Sequence, residues 1–261
     1  NSYRNLGVNQ SGLNKNLEKL SSGYRINRAG DDAAGLAISE KMRSQINGLN
    51  QATKNAQDAI GLIQTVEGAL TETHSMLQRL TTLASQSANG TYNTVARGNL
   101  DQEVQDLLKE IDRIADNTDF NGIKPIAATG TGNMTFQIGP SSGETLLLNA
   151  SNMTSTSIGV KSIDVTDRAG ANSAIDTIKA AIDKVSSYRA TLGAAQNRLE
   201  HTVNNLKVSS ENITAAESRI RDTDMADEIT AFTKNNILLQ ASQSMLAQSN
   251  SVPQSILSLL G

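Results

Sequence analysis

The chain has 261 residues, a net charge of −3 and no cysteine, and only 3% of its residues are aromatic. Enzymes usually fill their cores and line their pockets with aromatic side chains, so this composition argues against a compact globular enzyme. The absence of cysteine excludes disulfides and thiolate metal sites. The slight acidity, without a basic run, argues against nucleic acid or an anionic membrane as a partner.

Targeting signals are sparse. No apolar stretch approaches the roughly 18 residues that a membrane span needs. The first ten residues lack the basic and apolar regions of a cleavable signal peptide. The chain begins with Asn1 instead of methionine, so we expect a few residues to precede it in the natural protein.

The first predicted element is a short helix whose leucines recur every seven residues: Leu6, Leu13 and Leu20, with Leu17 beside them. A heptad stripe keeps one side of a helix against a partner helix. Two heptads are marginal for an isolated helix in water, so we expect another helix to cover these leucines. Residues 21–35 are rich in Gly, Ser and Asp, which predicts a linker.

Two further helices are predicted at about residues 31–85 and 95–116. The heptad positions of the longer one are Leu49, Ala56, Ile63, Leu70, Leu77 and Ala84. The shorter one carries an apolar face of Leu100, Val104, Leu107, Ile111 and Ile114. The polar residues Ser87–Thr91 between them predict a loop.

Residues 117–170 differ in kind, because turn residues separate short apolar runs. Met134–Ile138 and Glu144–Leu148 flank one such turn and predict a small β-hairpin, with further turns at Asn121-Gly122 and residues 129–132. The helix that follows, at about residues 172–221, has an uninterrupted heptad stripe: Ile178, Val185, Leu192, Leu199, Leu206, Ile213 and Ile220. Such a length exceeds that of ordinary globular helices and indicates a rod.

The last predicted helix follows the polar stretch Ser218–Asp224, where the heptad phase breaks. Its apolar positions are Met225, Phe232, Leu239 and Leu246, and the chain closes on the apolar residues 256–260. Asn235, Asn236, Gln240 and Gln243 share this seam and favour selection of register over maximal stability. The prediction is a mainly α fold, a long antiparallel helical rod with a small β-hairpin region, whose terminal helices pair as a coiled coil.

The heptads predict a partner helix but do not identify the chain that supplies it. The terminal helices could pair and then pack on neighbouring copies in head-to-tail contacts that extend into a filament. An isolated bundle or an intramolecular coiled coil explains the same pattern. The charges of the two linkers could form an ion-pair network at subunit contacts or lie in solvated loops: Arg25, Arg28, Asp31 and Asp32 in one, and Arg219, Arg221, Asp222 and Asp224 in the other.

No catalytic, cofactor or metal residue is predicted. His74 and His201 are the only histidines, and neither has a cysteine or another histidine nearby in the sequence. No serine lies in the strand-turn-helix motif of a hydrolase nucleophile.

Long segments of the chain resemble bacterial flagellins: residues 17–43, 57–70, 119–122, 136–139, 192–200, 215–222 and 252–260. The resemblance covers nearly the whole chain and implies a non-enzymatic subunit that polymerises into the filament of a flagellum. It implies an inner-tube domain of residues 1–30 and 222–261 and a rod domain of residues 31–221. Because the segment between the inner helices, residues 117–170, is short, the resemblance implies little or no outer domain. A hook-filament junction protein of the same superfamily is the alternative.

The resemblance also implies partners and a location. The family is exported unfolded by an uncleaved N-terminal signal through the flagellar export apparatus. A cytoplasmic chaperone binds the C-terminal helices, here Thr230–Ser249, and hook-associated and cap proteins are further partners of the extracellular filament. The implied assembly residues are Leu6, Leu13, Leu20, Arg28, Asp31, Arg219, Arg221, Phe232, Leu239 and Leu246.

A host receptor is implied as well. Toll-like receptor 5 reads inner-shell helices of flagellins, and its motif corresponds here to Gln78, Arg79, Leu83 and Glu110. Arg79, Leu83 and Glu110 could by themselves be an ordinary helix surface, but with the resemblance we expect them to form an exposed binding patch. Thr81 and Thr82 stand where many receptor-active members have charged residues.

Overall fold

The computed structural model describes residues 2–127 and 132–260, with side chains described for residues 3–127 and 132–249. The elements in chain order are α1 (Ser2–Ser22), α2 (Ala33–Ala88), α3 (Thr94–Asn117), β1 (Met134–Gln137), β2 (Thr145–Leu148), α4 (Ser155–Ile158), α5 (Arg168–Arg221) and α6 (Met225–Leu260). The predicted mainly α fold with a small antiparallel hairpin is confirmed. Most of the predicted turn at 129–132 and the side chains of residues 256–260 lie outside the described residues. In the described part of the chain, no helix is long and apolar enough to cross a bilayer.

Short polar side chains cap the N-termini of three helices. Asp32 Oδ1 accepts the N–H of Gly35 at 2.8 Å at the start of α2. Asp224 Oδ1 accepts the N–H of Ala226 at 2.9 Å at the start of α6. Asn93 caps α3 in the same way. Such caps satisfy helix N–H groups that have no partner within the helix. The two aspartates, which are among the candidates for ion pairs in the linkers, therefore serve as helix caps.

The chain forms two compact units. The first comprises Asn1–Asn47 with Ser209–Gly261, and the second comprises Gly48–Val208. The boundaries of these compact units lie inside α2 and α5. The linkers belong to the first unit, because they are bonded to the neighbouring turns of the long helices, for example by the Arg25 N–H to the Arg221 carbonyl at 2.7 Å.

The core of the second unit follows the predicted heptads. All six heptad positions of α2 are buried, as are the first five of α5, whereas Ile213 and Ile220 are half-buried in the first unit. The buried side of α3 is centred one residue later than predicted, because Leu108 and Ala115 are buried and Leu107 and Ile114 only half-buried. Heptad spacing thus located the core stripes of the long helices.

The predicted hairpin is present. β1 and β2 pair antiparallel from Met134 opposite Leu148 to Gln137 opposite Thr145. Leu148 is buried while its neighbour Leu147 is exposed, which is the alternation expected of a sheet with one covered face. The short helix α4 was not predicted. Asp112 of α3 holds its first residue, since the carboxylate accepts the N–H of Ser155 at 2.7 Å and its hydroxyl at 2.8 Å.

Candidate assembly interface

The two terminal helices, α1 and α6, pair in antiparallel orientation within the first unit. Asn9 Nδ2 donates to Ser242 Oγ at 2.9 Å. Ten residues further along α1, Lys19 Nζ lies 3.7 Å from Glu228 Oε2. Because the partner on α6 moves towards the N-terminus as the position on α1 advances, the helices run in opposite directions. The predicted pairing of the terminal helices is therefore present within one chain.

A polar line of α1 faces α6, although the leucine heptad of this helix does not predict it. It consists of Asn9, Gly12, Asn16 and Lys19, spaced by three and four residues as a helix face requires. Gly12 permits close approach, because a Cβ there would lie 3.1 Å from Asn235 Nδ2. Asn16 is buried, with 8% of its surface exposed. Leu6, Leu13 and Leu20 flank this line and are half-buried.

Helix α6 presents apolar side chains around most of its circumference. Phe232, Leu239 and Leu246 are half-buried on the side that meets α1. Ile229, Ile237, Leu238 and Met245 point elsewhere and are exposed. A helix with large apolar side chains on several sides is typical of a position with more than one protein neighbour. Helix α1 packs along α6, and in the described part of the chain several apolar side chains of α6 remain exposed.

Helix α1 also exposes apolar side chains. Tyr3, Val8 and Leu17 have 73%, 64% and 44% of their surface accessible. Single exposed apolar residues are common, but a group of them on two adjoining helices marks an interaction surface. The helix pair therefore has the composition of an interface that lacks its partner.

An aromatic and two arginines hold the first linker against the long helices. The Tyr24 ring centroid lies 4.8 Å from the Arg221 guanidinium carbon and 5.6 Å from that of Arg43. The Arg43 guanidinium also donates to the Tyr24 hydroxyl at 3.1 Å. The arginines carry carboxylate partners, Glu40 at 2.6 Å from Arg221 and Glu217 at 3.7 Å from Arg43. Contacts of cations with the ring and with carboxylates stabilise the junction.

Backbone bonds join the two linkers directly. The Arg25 N–H donates to the Arg221 carbonyl, and the Thr223 N–H donates to the Gly23 carbonyl at 3.0 Å. Gly23 has φ +75°, a conformation that side chains with a Cβ rarely adopt. The beginning of α6 is thereby fixed to the end of α1.

The linker charges do not form one network within the chain. Arg28 Nε pairs with Glu18 at 2.8 Å, but both side chains are exposed, so this pair contributes little stability. Asp31 accepts backbone N–H groups, and the bond from the Arg28 N–H is the main reason that the pKa of Asp31 is lowered. Arg221 pairs with Glu40, as above. Arg219 is exposed and has no ion pair with any described residue.

We expect Arg221→Ala to loosen the junction and Arg219→Ala to leave it intact. The first substitution removes both the contact with the Tyr24 ring and the bond to Glu40, a loss of about 1–3 kcal/mol. Hydrogen exchange of the Arg25 and Thr223 amides reports the free energy of local opening. Equal protection in the two variants would contradict the assigned role of Arg221.

The four candidate receptor residues are not all exposed. Gln78 and Arg79 are exposed on α2, and Arg79 pairs with Glu103 at 2.7 Å. Glu110 is half-buried on α3 and accepts from Arg113 Nε at 2.7 Å. The expectation that Leu83 is part of an exposed patch is wrong, because its side chain is fully buried in the core of the second unit.

The histidines and acids are dispersed. His74 Nε2 lies 3.1 Å from Gln78 Nε2 on the same helix, while His201 is exposed on α5. Within the described ranges, no group of three or more His, Asp or Glu side chains is arranged to hold a metal ion.

Two family descriptions match the sequence. Residues 1–131 match "Bacterial flagellin N-terminal helical region", and residues 175–260 match "Bacterial flagellin C-terminal helical region". Together these matches cover most of the chain, including all of α1, α2, α3 and α6.

Curated relatives match over nearly their full length. A flagellin from Halalkalibacterium halodurans is 53% identical over 100% of this chain and 96% of its own length. A flagellin from Bacillus subtilis is 49% identical with the same two coverages. A flagellar filament 33 kDa core protein from Treponema phagedenis is 48% identical over 98% of this chain and 95% of its own length.

Solved structures agree with this relationship. The flagellin of Bacillus cereus is 36% identical and superimposes with a TM-score of 0.55, covering 63% of this chain and 94% of its own. A chain from Vibrio parahaemolyticus described as a flagellar hook-associated protein has a TM-score of 0.62, covering 74% of this chain and 100% of its own. That second chain is only 13% identical, so it shows a shared fold and does not favour a junction role. This chain belongs to the bacterial flagellin family.

Proposed function

We propose that this flagellin is the structural subunit of a flagellar filament and that the α1–α6 pair is the surface through which copies polymerise. Relatives that match over almost the whole chain include a protein named as a filament core protein. The observation that carries the proposal is that apolar side chains on several sides of α6 stay exposed in the part of the chain that the structure describes, where α1 packs along one side.

Assembly would cover the remaining apolar side chains. Full burial of a large aliphatic side chain contributes about 1.5–3 kcal/mol. Association costs on the order of 4–15 kcal/mol in lost freedom, so one exposed residue is not sufficient. Ile229, Ile237, Leu238 and Met245 of α6, together with Tyr3, Val8 and Leu17 of α1, offer enough apolar surface if several neighbours contact each copy. The polar line of α1 would then select register.

The proposal assigns residues 1–30 and 222–261 to the inner tube of the filament and residues 31–221 to the surrounding rod. Leu6, Leu13, Leu20, Phe232, Leu239 and Leu246 would contribute apolar contacts, and Arg28, Asp31, Arg219 and Arg221 would lie near subunit contacts. Half-burial of the six apolar residues supports this, since each retains surface for a second partner. In this role the protein has no enzymatic activity.

The same surface suggests the partners that precede assembly. An export chaperone that covers Thr230–Ser249 would protect the exposed side chains of α6 until the chain passes through the export apparatus. Hook-associated and cap proteins would contact the ends of the extracellular filament. Gln78, Arg79 and Glu110 would form the surface that Toll-like receptor 5 contacts, with Leu83 supporting it from the core.

The test is electron microscopy of the purified chain, with any residues that precede Asn1 restored, after seeding with sheared filaments of the same protein. We expect filaments to grow from the seeds. Persistent monomers beside growing control filaments of a curated relative would overturn the proposal.

A further inference from the structure

Three asparagines precede a glycine, and the structure gives each different surroundings. They are Asn47, Asn89 and Asn121. A glycine after asparagine leaves its amide nitrogen unhindered, so that nitrogen can attack the asparagine side chain. The local structure decides whether the nitrogen can reach the side-chain carbon and whether the charges that develop are stabilised.

The loop between α2 and α3 holds the Asn89 side chain against the following peptide. Asn89 Oδ1 accepts the N–H of Thr91 at 3.2 Å. This hydrogen bond closes a ring of atoms that includes both Asn89 Cγ and the Gly90 nitrogen. The bond therefore restricts the distance between these two atoms. Asn89 and Gly90 are exposed, and a Cβ added at Gly90 would meet no atom within 4 Å. Water and hydroxide therefore have access.

Arg97 supplies the charge that favours the reaction. Its Nη2 donates to the Asn89 carbonyl at 3.1 Å, and its Nε is anchored on the Ser87 carbonyl at 2.9 Å. The Asn89 carbonyl and the Gly90 N–H belong to the same peptide group. A cation on that oxygen stabilises the anion formed when the nitrogen loses its proton. The Thr91 N–H stabilises the Oδ1 oxygen when negative charge develops there.

We propose that Asn89 is a self-modification site that converts to aspartate and isoaspartate. Hydroxide removes the Gly90 amide proton, and the nitrogen then bonds to Asn89 Cγ. The Cγ–Nδ2 bond breaks, and the nitrogen leaves with a proton as ammonia, which gives a cyclic imide. Water opens the imide at either carbonyl. The net change is one water consumed and one ammonia released, without oxidation or reduction.

The other two sites lack these features. Gly48 lies within α2, so its N–H belongs to the hydrogen-bonded helix and would have to leave it. Asn121, with φ +54°, lies in a tight turn closed on both sides by bonds between Phe120 and Ile123 at 2.9 and 3.0 Å. In the described part of the chain, no hydrogen bond polarises the Asn121 side-chain carbonyl.

The test is a time course of the native full-length chain at neutral pH, followed by digestion and mass spectrometry of the three peptides. We expect Asn89 to convert fastest. Arg97→Gln should slow it roughly tenfold, as expected for the loss of one bond from a charged donor. The rate at Asn121 should not change. In concentrated urea the native preference for Asn89 should disappear, because the three sites then have similar surroundings.

Two outcomes would overturn the proposal. One is a native rate at Asn89 no faster than that at Asn121. The other is an unchanged rate at Asn89 in an Arg97→Gln protein whose circular dichroism shows native helix content. The ratio of native to denatured rates needs no variant, so it decides the question even if Arg97→Gln does not fold. None of these measurements depends on polymerisation.

Discussion

Leu239→Asp abolishes polymerisation and leaves the second unit, Gly48–Val208, folded; this is the largest functional effect that we expect. Leu239 is half-buried on the side of α6 that meets α1. A carboxylate there loses solvation when neighbouring copies pack around the pair. An uncompensated charge in such a position costs several kcal/mol, which exceeds the contribution of any single apolar contact.

Polymerisation of this variant is measured by electron microscopy and sedimentation after seeding, and folding by thermal unfolding followed by circular dichroism. Leu239→Met is the matched control, because it keeps an apolar side chain of similar volume and should still assemble. Normal filaments from Leu239→Asp would show that this face of α6 is not an assembly interface. Loss of the main unfolding transition would instead show that the residue is needed for the second unit.

Leu83→Ala should destabilise the second unit by about 2–5 kcal/mol, the range for removal of a fully buried leucine side chain. The side chain has no exposed surface and packs in the same core as Leu80 and Ile111. Reduced receptor signalling by this variant would therefore reflect loss of folded protein. It would not show that Leu83 contacts the receptor.

Chemical denaturation gives the free energy of unfolding for this variant. Thr82→Ala is the neighbouring control, since Thr82 is exposed and its hydroxyl donates to the Gln78 carbonyl one turn earlier. We expect that change to stay within about 0.5 kcal/mol. Arg79→Ala removes only an exposed ion pair with Glu103, worth about 0–1 kcal/mol, so it tests the receptor surface at nearly unchanged stability. Wild-type stability of Leu83→Ala would contradict its place in the core.

The reading of the long helices from sequence was accurate because their buried stripes repeat with a helical period. Every heptad position of α2 from Leu49 to Ala84 is buried, as is the stripe of α5 from Ile178 to Leu206. Short apolar runs on either side of a turn likewise indicated the hairpin, but the structure was needed to show which face is covered, because Leu146–Leu148 are all leucine and only their burial alternates. The helical patterns are local, since a period of 3.6 is visible in neighbouring residues. The resemblance to flagellins, carried by long segments, pointed to the family.

Sequence alone determined where the five longer helices lie, where the long-helix core stripes lie and which family the chain belongs to, but it did not reveal the short helix α4. The tertiary structure decided which side of each remaining helix is covered. It placed Asn9, Gly12 and Asn16 against α6, where the leucine heptads had suggested an apolar seam, and it buried Leu83 beneath the exposed Gln78 and Arg79. The physical reason is that a heptad pattern indicates that a helix has a partner helix. Which side of the helix that partner covers depends on the shape and polarity of side chains that are distant in the sequence.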